Sequence, residues 1–391
     1  PTNNFSPRIG VAWDITGDGK NVLRLGGGLF WDKFLMESGF RAYGISRPII
    51  DIAQLTVNTG VGAGQLAGYV YNVSPLPAFP TTPLSTLPFN ANVSVTILDP
   101  SIQNPYNIQE HVGYTRALTS NTTISTDFTH ILGQHETRSQ EVNPLEGPWD
   151  PNQGTVPTGT RRYSQAFNTA FPGEPNRLGS VTMYMTNNLS KYDELATQIV
   201  HHGNRVSLQA SYTLMYARAY GGIISGALGG SQAPKAAGNQ DLPFVPQEWG
   251  PAAIDERHRV VLSAVINLPM GFQVSPIMQA ASARPYNAVQ GQDLNKDGLN
   301  IDFWIDPSKP GNATSTCGCV NPPAGTQVGI NALRGTPTFN FDTRITKTFK
   351  FSERMSLGLF AELYNLTNRA NFGNYYVGNS RAGNFRQPFS Y

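Results

Sequence analysis

The chain has 391 residues, of which 14% are charged and 39% hydrophobic, and its formal net charge is +2. The charged fraction lies well below the roughly 25% of soluble domains, and Gly, Pro and small polar residues replace the missing charge. Such a length would ordinarily indicate two or more soluble domains, although one large β-barrel also fits. The near-neutral charge gives no indication of a nucleic-acid partner. No run of residues approaches the roughly 18 apolar residues that a transmembrane helix needs.

The first predicted hairpin lies near the start of the chain. In FSPRIGVAWD the side chains of Ile9, Val11 and Trp13 fall on alternate positions, and VLRLGGGLFW repeats this pattern after the segment TGDGKN. Alternation with a period of two is typical of a strand with one apolar and one polar face. The Asp-Gly pair in the connecting segment favours a tight turn.

Four further strand pairs follow along the chain. They are YNIQEHVGYTRAL with TTISTDFTHIL, KYDELATQIVHHG with RVSLQASYTLMYA, HRVVLSAVINL with FQVSPIMQA, and TFNFDTRITKTFKF with MSLGLFAELYNL. In each pair an apolar row such as that of Leu208 alternates with a polar row such as that of Gln209. The sequence therefore predicts an all-β, antiparallel fold with about ten strands.

The predicted strands are long, and their connections alternate between short and long. The strands run to roughly 9–13 residues, and the long connections cover about 32–106, 133–190, 218–256 and 282–335. A tilted strand that crosses a bilayer needs about 9–11 residues, whereas the mean soluble strand has only about 5–6. Short turns at one end and long loops at the other are typical of outer-membrane barrels. We therefore predict a transmembrane β-barrel, present here in part, with an apolar face toward lipid and a polar face toward the lumen.

At this point the chain resembles the C-terminal half of a TonB-dependent outer-membrane receptor, and more narrowly the Oar-like group whose N-terminal region carries a carboxypeptidase-regulatory-like domain. The segments that carry the resemblance are NFSPRIGVAWDITGDGKNVLRLGGGLFWD, PYNIQEHVGYTRAL, DERHRVVLSAVINLPMGF, DLNKDGLNID and AELYNLTNRANFGN. They are spread over residues 4–374, so the resemblance covers most of the chain.

The resemblance implies a larger protein. Such receptors have a 22-stranded barrel, a plug and a TonB box, so residues 1–391 are expected to form the C-terminal part of the barrel, without the plug, the N-terminal region and the last strand. The implied partners are outer-membrane lipid, the TonB complex acting through the missing N-terminal region, and a small or oligomeric ligand. The ligand stays open among iron chelates, cobalamin, glycans and peptides.

One segment has the spacing of a calcium loop. The predicted ligands are Asp293, Asn295, Asp297, Asn300 and Asp302. Oxygen ligands on alternate residues, followed by Gly298, match the first half of such a loop, in which glycine permits a sharp turn. Trp304 stands where the usual twelfth-position Glu would be. The alternative is a polar turn that is rich in Asp, Asn and Gly because turns favour these residues. No other cofactor is predicted.

The remaining polar features favour structural roles. DERHR, which begins at Asp255, is predicted to be a charged cluster at a strand entry, and Asp14 to Gly19 a hairpin turn rather than a second calcium loop. Cys317 and Cys319 are interpreted as a small loop clip or two free thiols. A set of charged residues is predicted to face the lumen, namely Glu110, Asp127, Asp193, Asp342, Arg344 and Glu362.

We therefore expect a barrel segment of an energy-coupled outer-membrane receptor or transporter in a Gram-negative-type bacterium, with no enzymatic activity and no catalytic residues. An outer-membrane barrel that anchors large surface loops for binding or adhesion is the alternative. A soluble carbohydrate-binding β-sandwich is a third possibility, which predicts short strands. An enzyme is the least favoured reading, because no nucleophile elbow, phosphate loop or zinc motif appears in the sequence.

Overall fold

The computed structural model describes most of the strands and part of the connections. The described residues are 4–32, 93–146, 160–163, 166, 169–170, 178–223, 235–236, 238, 240–291, 301–304, 328–373 and 375–389. The helical segments within these residues are all too short or too polar for a helical membrane span.

Strands dominate the described residues. They are β1 (Arg8–Asp14), β2 (Asn21–Trp31), β3 (Val93–Leu98), β4 (Tyr106–Thr119), β5 (Thr122–Glu141), β6 (Leu145–Glu146), β7 (Thr160–Arg161), β8 (Leu178–His202), β9 (Val206–Tyr220), β10 (Trp249–Pro251), β11 (His258–Leu268), β12 (Phe272–Ala281), β13 (Pro285–Tyr286), β14 (Leu333–Arg334), β15 (Thr338–Lys350) and β16 (Ser356–Leu363). Single turns of 3₁₀-helix occur at Pro246–Glu248 and Pro269–Gly271.

Ten of these strands form one continuous antiparallel sheet. Their order is β1-β2-β4-β5-β8-β9-β11-β12-β15-β16, so each strand pairs with its neighbours in the chain once the minor strands are set aside. The connections 120–121, 203–205 and 269–271 are tight turns at one end of the sheet. Strands β2, β5, β9 and β12 end at the other end of the sheet, and β4, β8, β11 and β15 begin there; we call it the loop end. Within the described residues β1 and β16 are the two edges, so the sheet is an open part of a barrel.

The two faces of the sheet differ in chemistry. Directly paired residues share a face, so Val112, Phe128, Leu195 and Leu214 form one apolar row across four strands. The exposed large hydrophobic side chains on this outer face include Ile9, Val11, Trp13, Leu25, Val112, Tyr114, Phe128, Leu195, Ile199, Val206, Tyr212, Tyr216, Leu268, Phe272, Ile345, Phe349, Leu357, Leu359 and Leu363. On the ten strands of this sheet, the corresponding group on the other face is Val265, Ile277 and Phe360. This distribution matches a wall with an apolar outer face.

The inner face carries paired polar groups. Asp127 on β5 lies 3.2 Å from Arg24 Nη2 and 3.1 Å from His111 Nε2, which links three neighbouring strands. On β15 and β16, Arg344 donates to Glu362 across the strand pair. At the loop end of the same face Ala217 and Ala219 are buried against Ala252 of the following connection. The inner face is therefore the one onto which connections fold.

Two of the residues predicted to face the lumen lie on the outer face instead. Glu110 and Asp193 both pair with His130, in the row next to that of Phe128. Asp193 accepts a hydrogen bond from His130 Nδ1 at 2.6 Å and lies 3.1 Å from Lys191 Nζ. The position of a residue in the alternation along its strand, rather than its charge, decides which face it occupies. Toward the loop end Lys191 on β8 and Arg218 on β9 pair directly and also lie on the outer face.

Strands β5 and β8 extend well past their predicted ends. They were predicted to stop at Leu132 and to start at Lys191, whereas β5 continues to Glu141 and β8 begins at Leu178. Their pairing shifts register twice between Gly133 and Arg138. Each shift inserts an unpaired residue, after which the odd and even positions of that strand exchange faces. A search for continuous alternation therefore does not find the rest of the strand. β3 adds a parallel partner to this extension.

The segment after Asp14 is a hairpin turn, as predicted. The carboxylate of Asp14 accepts the backbone N–H groups of Gly17 at 3.1 Å and Gly19 at 2.7 Å, and both glycines have a φ of 71°. The Thr16 hydroxyl and the Lys20 ammonium hold the pKa of Asp18 down at about 2. These oxygens are thus occupied by the turn itself.

The assignment of the two faces predicts an asymmetric cost of charge. In the full-length protein, Leu195→Arg should cost about 2–4 kcal/mol of membrane stability, because it places a cation between Phe128 and Leu214 in lipid. Gln198→Arg on the inner face of the same strand is the matched control and should cost much less. Denaturant titrations of both variants in lipid vesicles measure the difference, and equal costs would contradict the assignment.

Candidate functional site at the loop end

The extension of β5 and β8 buries polar residues rather than an apolar core. The buried polar side chains in this region include Glu136, Thr137, Arg138, Ser139, Glu141, Asn143, Thr186, Asn188 and Ser190. Buried polar groups require hydrogen-bond partners. The carboxylate of Glu141 accepts the backbone N–H groups of Asn143 at 3.0 Å and Val181 at 2.9 Å, together with the hydroxyl of Ser180. This side chain therefore fixes the strand ends to each other.

Arg138 is a buried cation in the same region. Its Nε donates to Asn187 at 2.8 Å and its Nη2 to Gln140 at 2.7 Å, while the guanidinium lies 5.1 Å from the ring centroid of Phe244. Burial lowers the pKa of Arg138 to about 10, and the negative charge of Glu248 opposes this shift. A small pocket that is open to solvent lies beside Arg138. The pocket lining consists of Arg138, Asn188, Tyr220, Gly221, Lys235, Ala236 and Pro243.

A second ionic cluster closes the connections onto β9 and β11. Asp255 is fully buried, and its carboxylate accepts hydrogen bonds from Arg257 at 3.1 Å and from Arg334. Arg334 Nη1 also donates to the backbone oxygen of Asp255 at 2.6 Å. The neighbouring Glu256 pairs with Arg259 at 3.1 Å and Arg284 at 2.7 Å. The DERHR segment is therefore a charged cluster at a strand entry that holds neighbouring loops, as predicted.

A third unit joins the β12–β15 connection to the last described part of the chain. We call residues 284–291, 301–304, 328–336 and 375–389 the C-terminal loop cluster. Val289 bridges both Phe303 and Asn379. The Tyr376 hydroxyl accepts the Thr336 N–H at 2.8 Å. Phe303 and Trp304 are buried within the cluster. Asn331, whose side chain donates to the oxygens of Gly222 and Pro251, ties the cluster to the β9–β11 connection.

Aromatic rings and one arginine form the outer part of this cluster. Trp304 packs edge-on against Phe385 with ring centroids 5.1 Å apart, and Tyr286 stacks on Tyr376 at the same distance. The guanidinium of Arg386 lies 4.9 Å from the Trp304 centroid and 5.4 Å from that of Phe385. Arg386 is exposed. Such an arrangement presents N–H donors on a fixed aromatic support.

Most of the predicted calcium ligands lie outside the described residues. These are Asp293, Asn295, Asp297 and Asn300. Asp302 is described; it is buried, and its backbone oxygen accepts the Gln290 N–H at 2.8 Å. Within the described ranges no group of three or more His, Cys, Asp and Glu residues could hold a metal ion. The calcium site therefore stays a prediction. Cys317 and Cys319 also fall outside the described residues.

The sequence pattern did not reveal the residues that organise the loop end. Arg138, Arg334 and Arg386 stand in different connections or extensions, and none forms a recognisable spacing with its partners. Alternation identifies faces of strands, whereas these contacts join segments far apart in the chain. The glutamates and arginines of the loops were the only available signal, because long charged side chains are rarely buried without partners.

Comparison with known proteins agrees with this architecture. The family model described as "Outer membrane beta barrel domain" matches residues 1–389. The chain belongs to this family. The match confirms the predicted fold class and places the protein in the bacterial outer membrane. No curated protein sequence matches the chain.

Several solved structures of other outer-membrane proteins are similar to this barrel segment. The outer membrane transporter YddB from Escherichia coli is 10% identical with a TM-score of 0.49, and the alignment covers 93% of this chain and 37% of YddB. The siderophore receptor PirA from Acinetobacter baumannii is 8% identical with a TM-score of 0.46, covering 94% and 37%. A mutant of the ferric enterobactin receptor PfeA from Pseudomonas aeruginosa is 8% identical with a TM-score of 0.46, covering 94% and 35%. The chain thus spans little more than a third of each. At these scores the assignment rests on the family match.

The buried Asp255 carboxylate predicts coupled opening of two connections. Asp255→Ala removes the shared partner of Arg257 and Arg334, so the free energy of local opening should fall by about 1–3 kcal/mol. Hydrogen exchange should accelerate in 251–257 and 328–334. Glu353→Ala, an exposed carboxylate in the turn 351–355 at the opposite end of the barrel, is the control. Unchanged exchange in both segments would contradict the role assigned to Asp255.

The calcium prediction has a direct test by titration calorimetry on the full-length protein. The parent should bind Ca²⁺ with a dissociation constant of about 10⁻⁴–10⁻³ M, typical of extracellular modules. Asp297→Ala should weaken binding, because it removes a predicted oxygen ligand. Asp18→Ala in the opposite turn should leave binding unchanged. Identical isotherms for the parent and Asp297→Ala would end the hypothesis.

Proposed function

We propose that the protein is part of a TonB-dependent outer-membrane receptor that takes up a ligand rather than catalysing a reaction. Residues 1–391 would supply the C-terminal wall of the barrel and the surface loops of its mouth. A plug, a TonB box and the remaining strands would belong to the longer protein. The narrower likeness to the Oar-like group is part of this proposal.

One observation carries the proposal, namely that the described parts of the connections at a single end of an outer-membrane wall pack together above a polar inner face. Loops that served only as connectors would need no shared interior. Here Asp255, Glu141 and Asn331 each join separate connections or strand ends through buried hydrogen bonds. A fixed surface at the barrel mouth suits capture of a ligand from outside the cell.

The inner face supports passage of polar material. Ion pairs lie along it, as in Arg24–Asp127 and Arg344–Glu362, so the wall is wettable. In a receptor of the proposed type the plug would occupy this space and open a path when pulled from the periplasm through TonB. The ligand stays open among iron chelates, cobalamin, glycans and peptides.

The second candidate is a barrel anchor that presents its loops for binding or adhesion. The size of the connections favours it, since the β12–β15 connection alone covers 282–337. The same packed loop end would then be a binding surface for a partner on another cell or on a matrix. The two functions differ in whether material crosses the membrane in an energy-coupled way.

Nutrient depletion by the native host separates the two. Wild-type cells, cells lacking this protein and cells lacking TonB are grown in the same complex medium, and spent media are compared by mass spectrometry. For a TonB-dependent receptor, at least one compound that the wild type consumes should remain in both mutant cultures. A protein-null strain that consumes every compound as the wild type does, yet attaches poorly to surfaces, would replace uptake with the anchor function.

A further inference from the structure

Arg386 has the geometry of a residue held ready for a ligand. Its guanidinium lies over Trp304 and Phe385, and Trp304 is itself 7% exposed, so the support beneath the cation is fixed by packing. The aromatic faces hold the planar guanidinium by cation–π attraction, which leaves its N–H edges toward solvent.

The backbone at this position is also unusual. Arg386 has a φ of 66°, in the left-handed region that non-glycine residues seldom adopt. Its N–H donates to the Val377 oxygen at 2.9 Å and the Val377 N–H donates to the Gln387 oxygen at 2.9 Å, so a small hairpin enforces the conformation. Glycine would fit this position without strain. Strained non-glycine residues cluster at ligand sites, where the side chain needs that direction.

No carboxylate among the described residues pairs with Arg386, unlike the arginines at Asp255 and Glu256. Burial raises the pKa of Tyr286, and the positive charge of Arg386 opposes that shift. The guanidinium thus keeps its donors for a group from outside.

The surroundings of Arg386 carry an excess of positive charge. The described residues of 251–259, 282–291, 301–304, 328–337 and 375–389 contain six arginines and three carboxylates, a net charge of +3. Residues 292–300 and 305–327, which lie outside the described residues, contribute two lysines and three aspartates to the sequence of this connection. A local excess of one sign raises the concentration of oppositely charged ligands.

We propose that Arg386, on its support of Trp304 and Phe385, binds an oxyanion of the ligand, carried as a carboxylate or a phosphate. The fork of guanidinium N–H groups matches either group with two parallel hydrogen bonds. This inference rests on the proposed uptake function, because it takes the loop end as the place where the ligand is first held. It narrows the ligand to an anionic class.

Saturation-transfer NMR on the full-length protein in detergent tests this with defined probes. Galacturonate carries a carboxylate, galactose 1-phosphate carries a phosphate, and galactose carries neither. The protein should transfer saturation to at least one of the two anions and not to galactose. The anion that responds identifies which oxyanion the site prefers. Transfer to galactose equal to that of the anions, or transfer to none of the three, would overturn the proposal.

Variants separate binding from a purely structural role of the arginine. Arg386→Met keeps an unbranched side chain that covers Trp304 but removes the donors, so anion binding should weaken roughly tenfold while the barrel keeps its heat-modifiable gel mobility. Arg386→Lys keeps the charge without the fork and should fall between. Arg381→Gln, which removes the charge of another exposed arginine of the same segment, is the matched control; it measures the loss of local charge alone and should weaken binding much less than Arg386→Met does.

The outcome is distinguishable from failure of the uptake function. Unchanged anion binding in Arg386→Met would reject this residue as the contact, whatever the depletion experiment shows. If the depletion experiment shows no TonB-dependent uptake but anion binding still depends on Arg386, the uptake function would be rejected. The protein would then be an anchor with an anion-binding surface.

Discussion

The constraint on which the structure depends is that hydrocarbon offers no hydrogen-bond partners to a backbone. Every N–H and C=O that crosses the bilayer must be paired within the protein, and strands achieve this only through their neighbours. The ten-strand antiparallel sheet meets that requirement between its two edge strands, β1 and β16. The apolar outer row, the paired charges of the inner face and the low overall charge all follow, because each strand needs only one apolar face and no separate core.

Outside the bilayer, the connections have to satisfy the polar groups that they bury. The described parts of the connections bury polar and charged side chains next to apolar ones such as Phe303, Trp304 and Ile330. Arg138, Glu141 and Asp255 are buried because several donors or acceptors meet each of them. Buried ionic groups contribute little net stability compared with apolar packing, but breaking one leaves the other uncompensated. Such contacts therefore favour one arrangement of the loops over its competitors.

Sequence reasoning predicted the part of the fold that the bilayer dictates and little of the rest. Alternation located the strand pairs and tight turns. A strand has an apolar face toward lipid, such as that of Val112 or Leu195, only if every second residue is apolar. It missed the extension of β5 and β8, because the bulges between Gly133 and Arg138 change parity. It also misplaced Glu110 and Asp193, where charge was given more weight than parity.

The loop end was beyond prediction for a different reason. Asp255 and Arg334 are 79 residues apart, and no local pattern signals their contact. The calcium spacing at 293–302 was visible because its ligands are neighbours in sequence, whereas Arg386 and Trp304 belong to separate connections. For a site assembled from distant loops, composition is the only signal in the sequence, and here that signal is an excess of arginine.

The links between these loops bear on how a ligand would be held. The hairpin that contains Arg386 also contains Tyr376, whose hydroxyl accepts a hydrogen bond from the Thr336 N–H. Two residues before Thr336, Arg334 donates to the carboxylate of Asp255 beside β9. Asp255 in turn accepts the backbone N–H of Ala217 within that strand. The exposed guanidinium is thereby fixed to the rigid wall through a short series of contacts. A ligand that meets it has little loop ordering to impose, and such preorganisation raises affinity without enlarging the contact area.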